Sequence, residues 1–192
     1  GTGNVALGDT ALDSVAASGN NNTAVGSNAG TAITTGDNNT LIGSLAGDAL
    51  DAGGNNVAIG FRALSAEDGH GTNIAIGSDA LKVQNAGTNA YNIAIGHDAG
   101  KAVTTGVQNT LIGGSAGDAL TDADYNTALG NAALGSDTKG SRSVAIGHNA
   151  LTTQNFTTAT DTYNVAVGQN AGLNVTTGVQ NTLIGGLAGD AL

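Results

Sequence analysis

The chain has 192 residues, 32 of them glycine, with no proline, cysteine, methionine or tryptophan and aromatics at only 3%. The absence of cysteine excludes a disulfide framework or thiolate metal site, and 5 scattered basic residues against 15 acidic ones, a net charge of −10, leave no patch for nucleic acid or an anionic membrane. Apolar residues reach 40%, mostly as small aliphatics, which suits a thin core; no apolar run approaches the roughly 20 residues of a membrane span, so no membrane insertion is expected in this segment.

In chain order, the first predicted element is a short strand, Val5-Ala6-Leu7, opened by Asn4 and closed by Gly8. The same pattern, Asn-x-[Ala/Leu]-[Ile/Leu/Val]-Gly, ends again at Gly26, Gly43, Gly60, Gly77, Gly96, Gly113, Gly130, Gly147, Gly168 and Gly185. Successive glycines stand 17 to 21 residues apart, most often 17. A fixed period of this length is the mark of a solenoid, in which each repeat buries its apolar face against its neighbours. A helix is excluded because every apolar run is short and glycine interrupts each turn. The fold class expected is all-β: a parallel β-solenoid, or β-roll, of eleven rungs of about 17 residues, forming one domain over residues 1–192. At about 4.8 Å per stacked strand the rungs span on the order of 50 Å. The chain begins at Gly1 rather than Met and stops at Leu192 in mid-repeat, so a section of a longer fibrous protein is expected.

Within each strand the first and third residues share one face and the second takes the other. The third residue is always a branched aliphatic, and that face is assigned to the interior, with Ile42, Ile59, Ile76, Ile112, Ile146 and Ile184 as core. The second residue is Ala except at Leu41, Leu111 and Leu183, which occupy the same member of a four-rung super-repeat visible in the recurring blocks 28–50, 98–120 and 170–192. Such regular bulk on the other face predicts chain–chain contacts at those three leucines. The corner residues are Gly43, Gly60 and Gly113, where a positive φ or a close approach excludes a side chain, and Ala46, Ala116 and Ala188 three positions on, where a larger group would clash. The opening Asn, replaced only by Ser143, is expected to stack into an amide ladder.

The three rungs longer than 17 residues follow Gly8, Gly77 and Gly147, with return segments at residues 13–22, 82–92 and 152–164. Insertions in solenoids gather on one face, often the binding face. Tyr91, Phe156 and Tyr163 lie in two of these segments. They are either a receptor contact or rings that cap the edge of the core.

Catalytic chemistry is poorly supplied. Glu67 is the only Glu, and Asp68 beside it is expected to point elsewhere, so the two carboxyls of a glycosidase are missing. No phosphate-loop pattern occurs. His97 and His148 lie three rungs apart, about 14 Å at the stacking distance, too far to share an ion. Asp48, Asp118 and Asp190 recur in Gly-Asp-Ala-Leu and read as turn residues bonding their own backbone. No catalytic residue, metal or cofactor is expected, and no enzymatic activity.

Three stretches resemble known repeats. Ser143-Val-Ala-Ile-Gly-His-Asn-Ala-Leu151 and Asn56-Val-Ala-Ile-Gly60 are similar to the head repeats of trimeric autotransporter adhesins, and the segment from Asn21 to Gly36 resembles repeats of bacteriophage tail fibres and related bacterial surface proteins. The resemblance runs over essentially the whole chain, although adhesin heads have a shorter rung and no neck or anchor is present. It implies a β-roll packed as a homotrimer around a central axis, an extracellular setting on a virion tail fibre or bacterial surface, and a shaft or head that holds or forms a contact surface for a host glycan or receptor. Two other functions stay open: a self-assembling extracellular filament or matrix protein, and an ice- or mineral-binding solenoid presenting the pairs Thr34-Thr35, Thr104-Thr105 and Thr176-Thr177.

Overall fold

The computed structural model describes residues 1–16 and 18–192; Ala17, in the first long return segment, lies outside the described residues. Eleven three-residue strands form one parallel sheet: β1 (Val5–Leu7), β2 (Thr23–Val25), β3 (Thr40–Ile42), β4 (Val57–Ile59), β5 (Ile74–Ile76), β6 (Ile93–Ile95), β7 (Thr110–Ile112), β8 (Thr127–Leu129), β10 (Val144–Ile146), β12 (Val165–Val167) and β13 (Thr182–Ile184). Two further strands, β9 (Gly140–Ser141) and β11 (Thr160–Asp161), pair in a second small parallel sheet. β11 belongs to the longest return segment, which therefore folds back onto the rung before it.

Each strand of the large sheet pairs in register with the copies before and after it, as in Thr23↔Thr40 and Ala24↔Leu41. Parallel neighbours that follow one another in the chain require a full circuit between them, and the result is a β-solenoid. Hydrogen bonds between rungs continue around the corners: Leu45 N–H donates to Ser27 O at 3.0 Å and Gly47 N–H to Ala63 O at 2.9 Å. Among the described residues no helix is long and apolar enough to cross a membrane.

The two faces of the strands are the reverse of the expected ones. Ala24, Leu41, Ala58, Ala75, Ala94, Leu111, Ala128, Ala145 and Ala166, all middle residues, are fully buried. The aliphatic third residues point outward: Ile59, Ile76, Ile112 and Ile146 are half-buried, Ile42 is 38% exposed and Ile184, on the last rung, 70%. Leu41 and Leu111 thus belong to the core and not to chain–chain contacts, with Leu183 packed against that core. The cause is the Asn that opens the strand. Its amide is buried inside the coil, and alternation then sends the next residue out, the Ala or Leu in, and the Ile out.

Leu41 fits because glycine yields the space. A Cβ on Gly30, in the rung before, would lie 2.7 Å from Leu41 Cδ1, and one on Gly47, in the same rung, 2.8 Å from Cδ2. The arrangement recurs at Leu111 with Gly100 and Gly117, both at 2.8 Å, and at Leu183 with Gly172 at 2.9 Å and Gly189 at 2.8 Å. On the four rungs whose strands carry Ala58, Ala75, Ala128 and Ala145, the position four after the corner carries Leu64, Leu81, Leu134 and Leu151, all fully buried. These leucines adopt φ between 48 and 55, a left-handed conformation that costs about 1–2 kcal/mol. Burying each side chain returns about 1.5–3 kcal/mol, enough to hold it there. The corner glycines stack on one another: Gly43 has φ 132, and a Cβ there would sit 2.5 Å from the oxygen of Gly60. Ala46 and Ala116 are fully buried just beyond the corner, while Ala188, near the last rung, is half-buried.

The asparagine column is a buried polar ladder. Asn109 receives nothing from solvent: its Nδ2 donates to Asn92 Oδ1 at 3.3 Å and to Ala123 O at 2.8 Å, and its Oδ1 accepts from the backbone N–H of Asn126 at 2.9 Å. Nearly every rung repeats the pattern, which explains why a carboxamide, with paired donors and acceptors on one planar group, recurs there. At the Ser143 rung the missing amide is replaced by Thr162 Oγ1, 2.6 Å from Ser143 Oγ, and by Gln154 Nε2 at 2.9 Å. Asn109→Ala is expected to cost about 1–3 kcal/mol for each buried group left unpaired. Urea unfolding followed by far-ultraviolet circular dichroism measures this, and an unchanged midpoint would contradict the ladder's role.

Four rungs, in two adjacent pairs, put the polar side chains Glu67, Gln84, Asp137 and Gln154 where others carry Ile33, Leu50, Val103 and Leu120. Fully buried Glu67 accepts from Gln84 Nε2 at 2.9 Å, and Gln84 Oε1 accepts from Asn92 at 2.9 Å. Asp137, also fully buried, accepts from Gln154 at 2.6 Å, and Gln154 from Asn164 at 2.7 Å. Each acid thus passes a hydrogen-bonded chain to the asparagine ladder under a long return segment.

Candidate functional site: the outer sheet face

Two outward columns run the length of the sheet. One holds Val5, Thr23, Thr40, Val57, Ile74, Ile93, Thr110, Thr127, Val144, Val165 and Thr182; the other holds Leu7, Val25, Ile42, Ile59, Ile76, Ile95, Ile112, Leu129, Ile146, Val167 and Ile184. Neither contains a charge. Three residues at about 3.3 Å each across eleven rungs at about 4.8 Å give a flat strip on the order of 500 Å², at the upper end of the bare patches of monomeric proteins. Parallel sheets are ordinarily covered on both faces. Here the coil covers one.

A third column flanks the strip, formed by the residue before each Asn. From the sixth rung on it reads Tyr91, Gln108, Tyr125, Arg142, Tyr163 and Gln180, all at φ between 50 and 64. The Arg142 guanidinium lies 4.6 Å from the Tyr125 ring centre and 6.0 Å from that of Tyr163, and its Nε pairs with Asp161 Oδ1 at 3.0 Å. Tyr91 and Tyr163 are thus surface residues, 56% and 51% exposed, and they share a ladder with Tyr125 and Arg142. Phe156 does not join them. It is only 8% exposed, and its backbone N–H donates to buried Asp137 at 3.0 Å, so the ring caps the core edge under the long loop and is withdrawn from any surface contact. Aligning the rungs on the residue before Asn would have grouped the tyrosines with Arg142; aligning on loop length did not.

No family model matches this chain, and searches of curated proteins and of solved structures likewise return no match. The surface chemistry therefore stands on its own. Among the described residues no pocket is found.

One cluster departs from the expected scatter of titratable groups. Asp68 does not point away from Glu67: ligand atoms of Glu67, Asp68 and His70 lie within 4.8 Å of one another. Burial raises the Glu67 carboxyl above its ordinary value of 4.5, with the Gln84 hydrogen bond and nearby His70 pulling it back. A raised folded-state pKa means the folded chain binds the proton more tightly. The stability this group contributes is then full below its unfolded pKa and lost as pH rises through the folded value. With a chelator present, Glu67→Gln is expected to flatten the decline of the thermal midpoint above about pH 4.5; calorimetry of both chains across that range checks it, and identical pH slopes would count against it.

Proposed function

We propose that this chain is a structural fibre module, a shaft or head segment of a phage tail fibre or bacterial surface adhesin, acting outside the cell as a homotrimer and without catalysis. The observation that carries the reading is the uncharged strip of Val, Ile, Leu and Thr on the outer face of an eleven-stranded parallel sheet. Three chains placed with these strips toward a common axis would cover what each coil leaves bare, with Ile59, Ile76, Ile95, Ile112 and Ile146 as the contacts. The likeness of the repeats to adhesin heads and tail fibres supports the same arrangement, and the leucine–glycine exchange supports a four-rung unit within it. The Tyr91, Tyr125 and Tyr163 ladder at the edge of the strip is the surface offered to a host glycan or receptor. Sedimentation equilibrium of the purified chain is the test: a particle of three chain masses is expected, and a monomer at micromolar concentration removes the reading.

A second reading has one observation in its favour. The strip is flat and evenly spaced and carries Thr23, Thr40, Thr110, Thr127 and Thr182, features that suit an ice or mineral lattice. A monomer with thermal hysteresis would favour it over the trimer.

A further inference from the structure

Burial demands hydrogen-bond partners, and one group of atoms near the fourth rung lacks them. Glu67 is fully buried, and its Oε2 accepts from Gln84 at 2.9 Å, but its Oε1 has no hydrogen-bond partner. The atom facing it is His70 Nδ1, 3.7 Å away, itself buried and without a partner. The Asp68 carboxylate approaches from the exposed side, within the same 4.8 Å cluster. Among the described residues neither carboxylate pairs with a lysine or arginine.

The rung bearing Asp137 shows how this position is satisfied by protein alone. There Oδ1 accepts the backbone N–H groups of Gly140 and Phe156, each at 3.0 Å, and Oδ2 accepts from Gln154 at 2.6 Å. Thr138 and Gly140 stand where the earlier rung has Asp68 and His70. The rung with the incompletely bonded acid is therefore also the rung that has a second carboxylate and an imidazole beside it.

We propose that Glu67, Asp68 and His70 bind a divalent transition-metal ion of the zinc or cobalt(II) class. Ligand atoms of two carboxylates and an imidazole converge within 4.8 Å of one another, and the two carboxylates repel each other until a cation enters. Two ligands of a tetrahedral zinc at about 2.0–2.1 Å lie roughly 3.4 Å apart, so the 3.7 Å between Glu67 Oε1 and His70 Nδ1 needs only a small inward shift. An imidazole with carboxylates favours zinc or cobalt over calcium or magnesium, which take oxygen ligands. Gln84, already bonded to Oε2, orients the buried carboxylate, as outer partners of metal ligands commonly do. The exposed flank beside Asp68 leaves a coordination position to water. The ion would fasten the return segment to the interior of the coil.

The test is isothermal titration of the full, chelator-stripped chain with zinc chloride, paired with visible absorption on adding cobalt(II). Saturable binding of one ion per chain is expected, with a cobalt spectrum of tetrahedral intensity and no heat from calcium chloride. Affinity should fall at least about tenfold in His70→Ala and in Glu67→Gln, and stay unchanged in a His97→Ala/His148→Ala chain. Circular dichroism confirms that each variant is folded; His70 is partly exposed, so its variant decides the matter if Glu67→Gln does not fold. The proposal is overturned if the parent chain shows no saturable binding. Binding equal in the parent and His70→Ala chains, or lost only with His97 and His148, overturns it too.

Discussion

Leu111→Ala is expected to destabilise the solenoid by about 2–5 kcal/mol, the range for a large-to-small change at a buried site that cannot collapse. Collapse is blocked because the walls around Leu111 are backbone: Gly100 and Gly117 supply no side chain that could move into the space. The more telling experiment adds Gly100→Leu. Alone, that change should also destabilise, since a Cβ at Gly100 would lie 2.8 Å from Leu111 Cδ1 and the residue has φ 58. Together with Leu111→Ala it recreates the arrangement of Leu64 with Ala75 of the next rung, and the φ of 48 at Leu81 shows that leucine is held in this conformation one rung away from Gly100. The double variant should be more stable than the sum of the two losses by roughly 1–3 kcal/mol, the coupling of residues in direct contact. Urea unfolding of the four chains measures the cycle. Additivity within about 0.5 kcal/mol would mean that the leucine–glycine exchange is not a volume exchange.

Ile95→Lys should act on assembly instead of folding. The side chain is half-buried on the outer face of an isolated coil, so the folded chain should tolerate lysine at a cost of about 0.5 kcal/mol. In the proposed trimer the same change brings three ammonium groups to a common axis, where an unpaired buried charge costs about 2–5 kcal/mol. That corresponds to a loss in affinity of roughly 30- to 4,000-fold. Sedimentation should show single chains with the strand signal of the parent. Leu111→Lys, on the inner face, should instead abolish the strand signal. If Ile95→Lys unfolds the chain while Leu111→Lys leaves it folded, the two faces have been assigned the wrong way round.

Side-chain size alone does not decide which face is interior. Ile42 and Ile112 are larger and more apolar than the Ala of neighbouring rungs, so transfer free energy alone puts them inside and leaves the Ala face out. What decides against it is the width of the coil. A strand of three residues contributes one inward side chain, and that chain must share the lumen with the Asn amide and the leucine beyond the corner. Alanine fits there; isoleucine does not. The signal was present in the correlation of Leu41, Leu111 and Leu183 with paired glycines four positions past successive corners, which makes sense only if both columns face the same interior.

The aromatics follow the same logic. Composition and position left Tyr91, Phe156 and Tyr163 alike, each either a surface contact or a cap on the core edge; the structure exposes the two tyrosines and buries Phe156. Its burial depends on Asp137, nineteen residues earlier and one rung away, which anchors its backbone N–H. Likewise, the meeting of Glu67 with Asp68 and His70 depends on a tight turn in the return segment. Extended backbone would have separated neighbouring carboxylates.

By itself the sequence determined the repeat, the position of every long-sheet strand, its in-register parallel pairing and the glycine corner, because these follow from local chain geometry repeated eleven times. Only the tertiary structure decided which face of each strand is interior. Both faces are apolar or small, so local preference is nearly balanced between them, and the balance is broken by closure of the coil: the asparagine amides must bond to the rungs above and below, and the lumen admits only the side chains whose volumes complement one another across it.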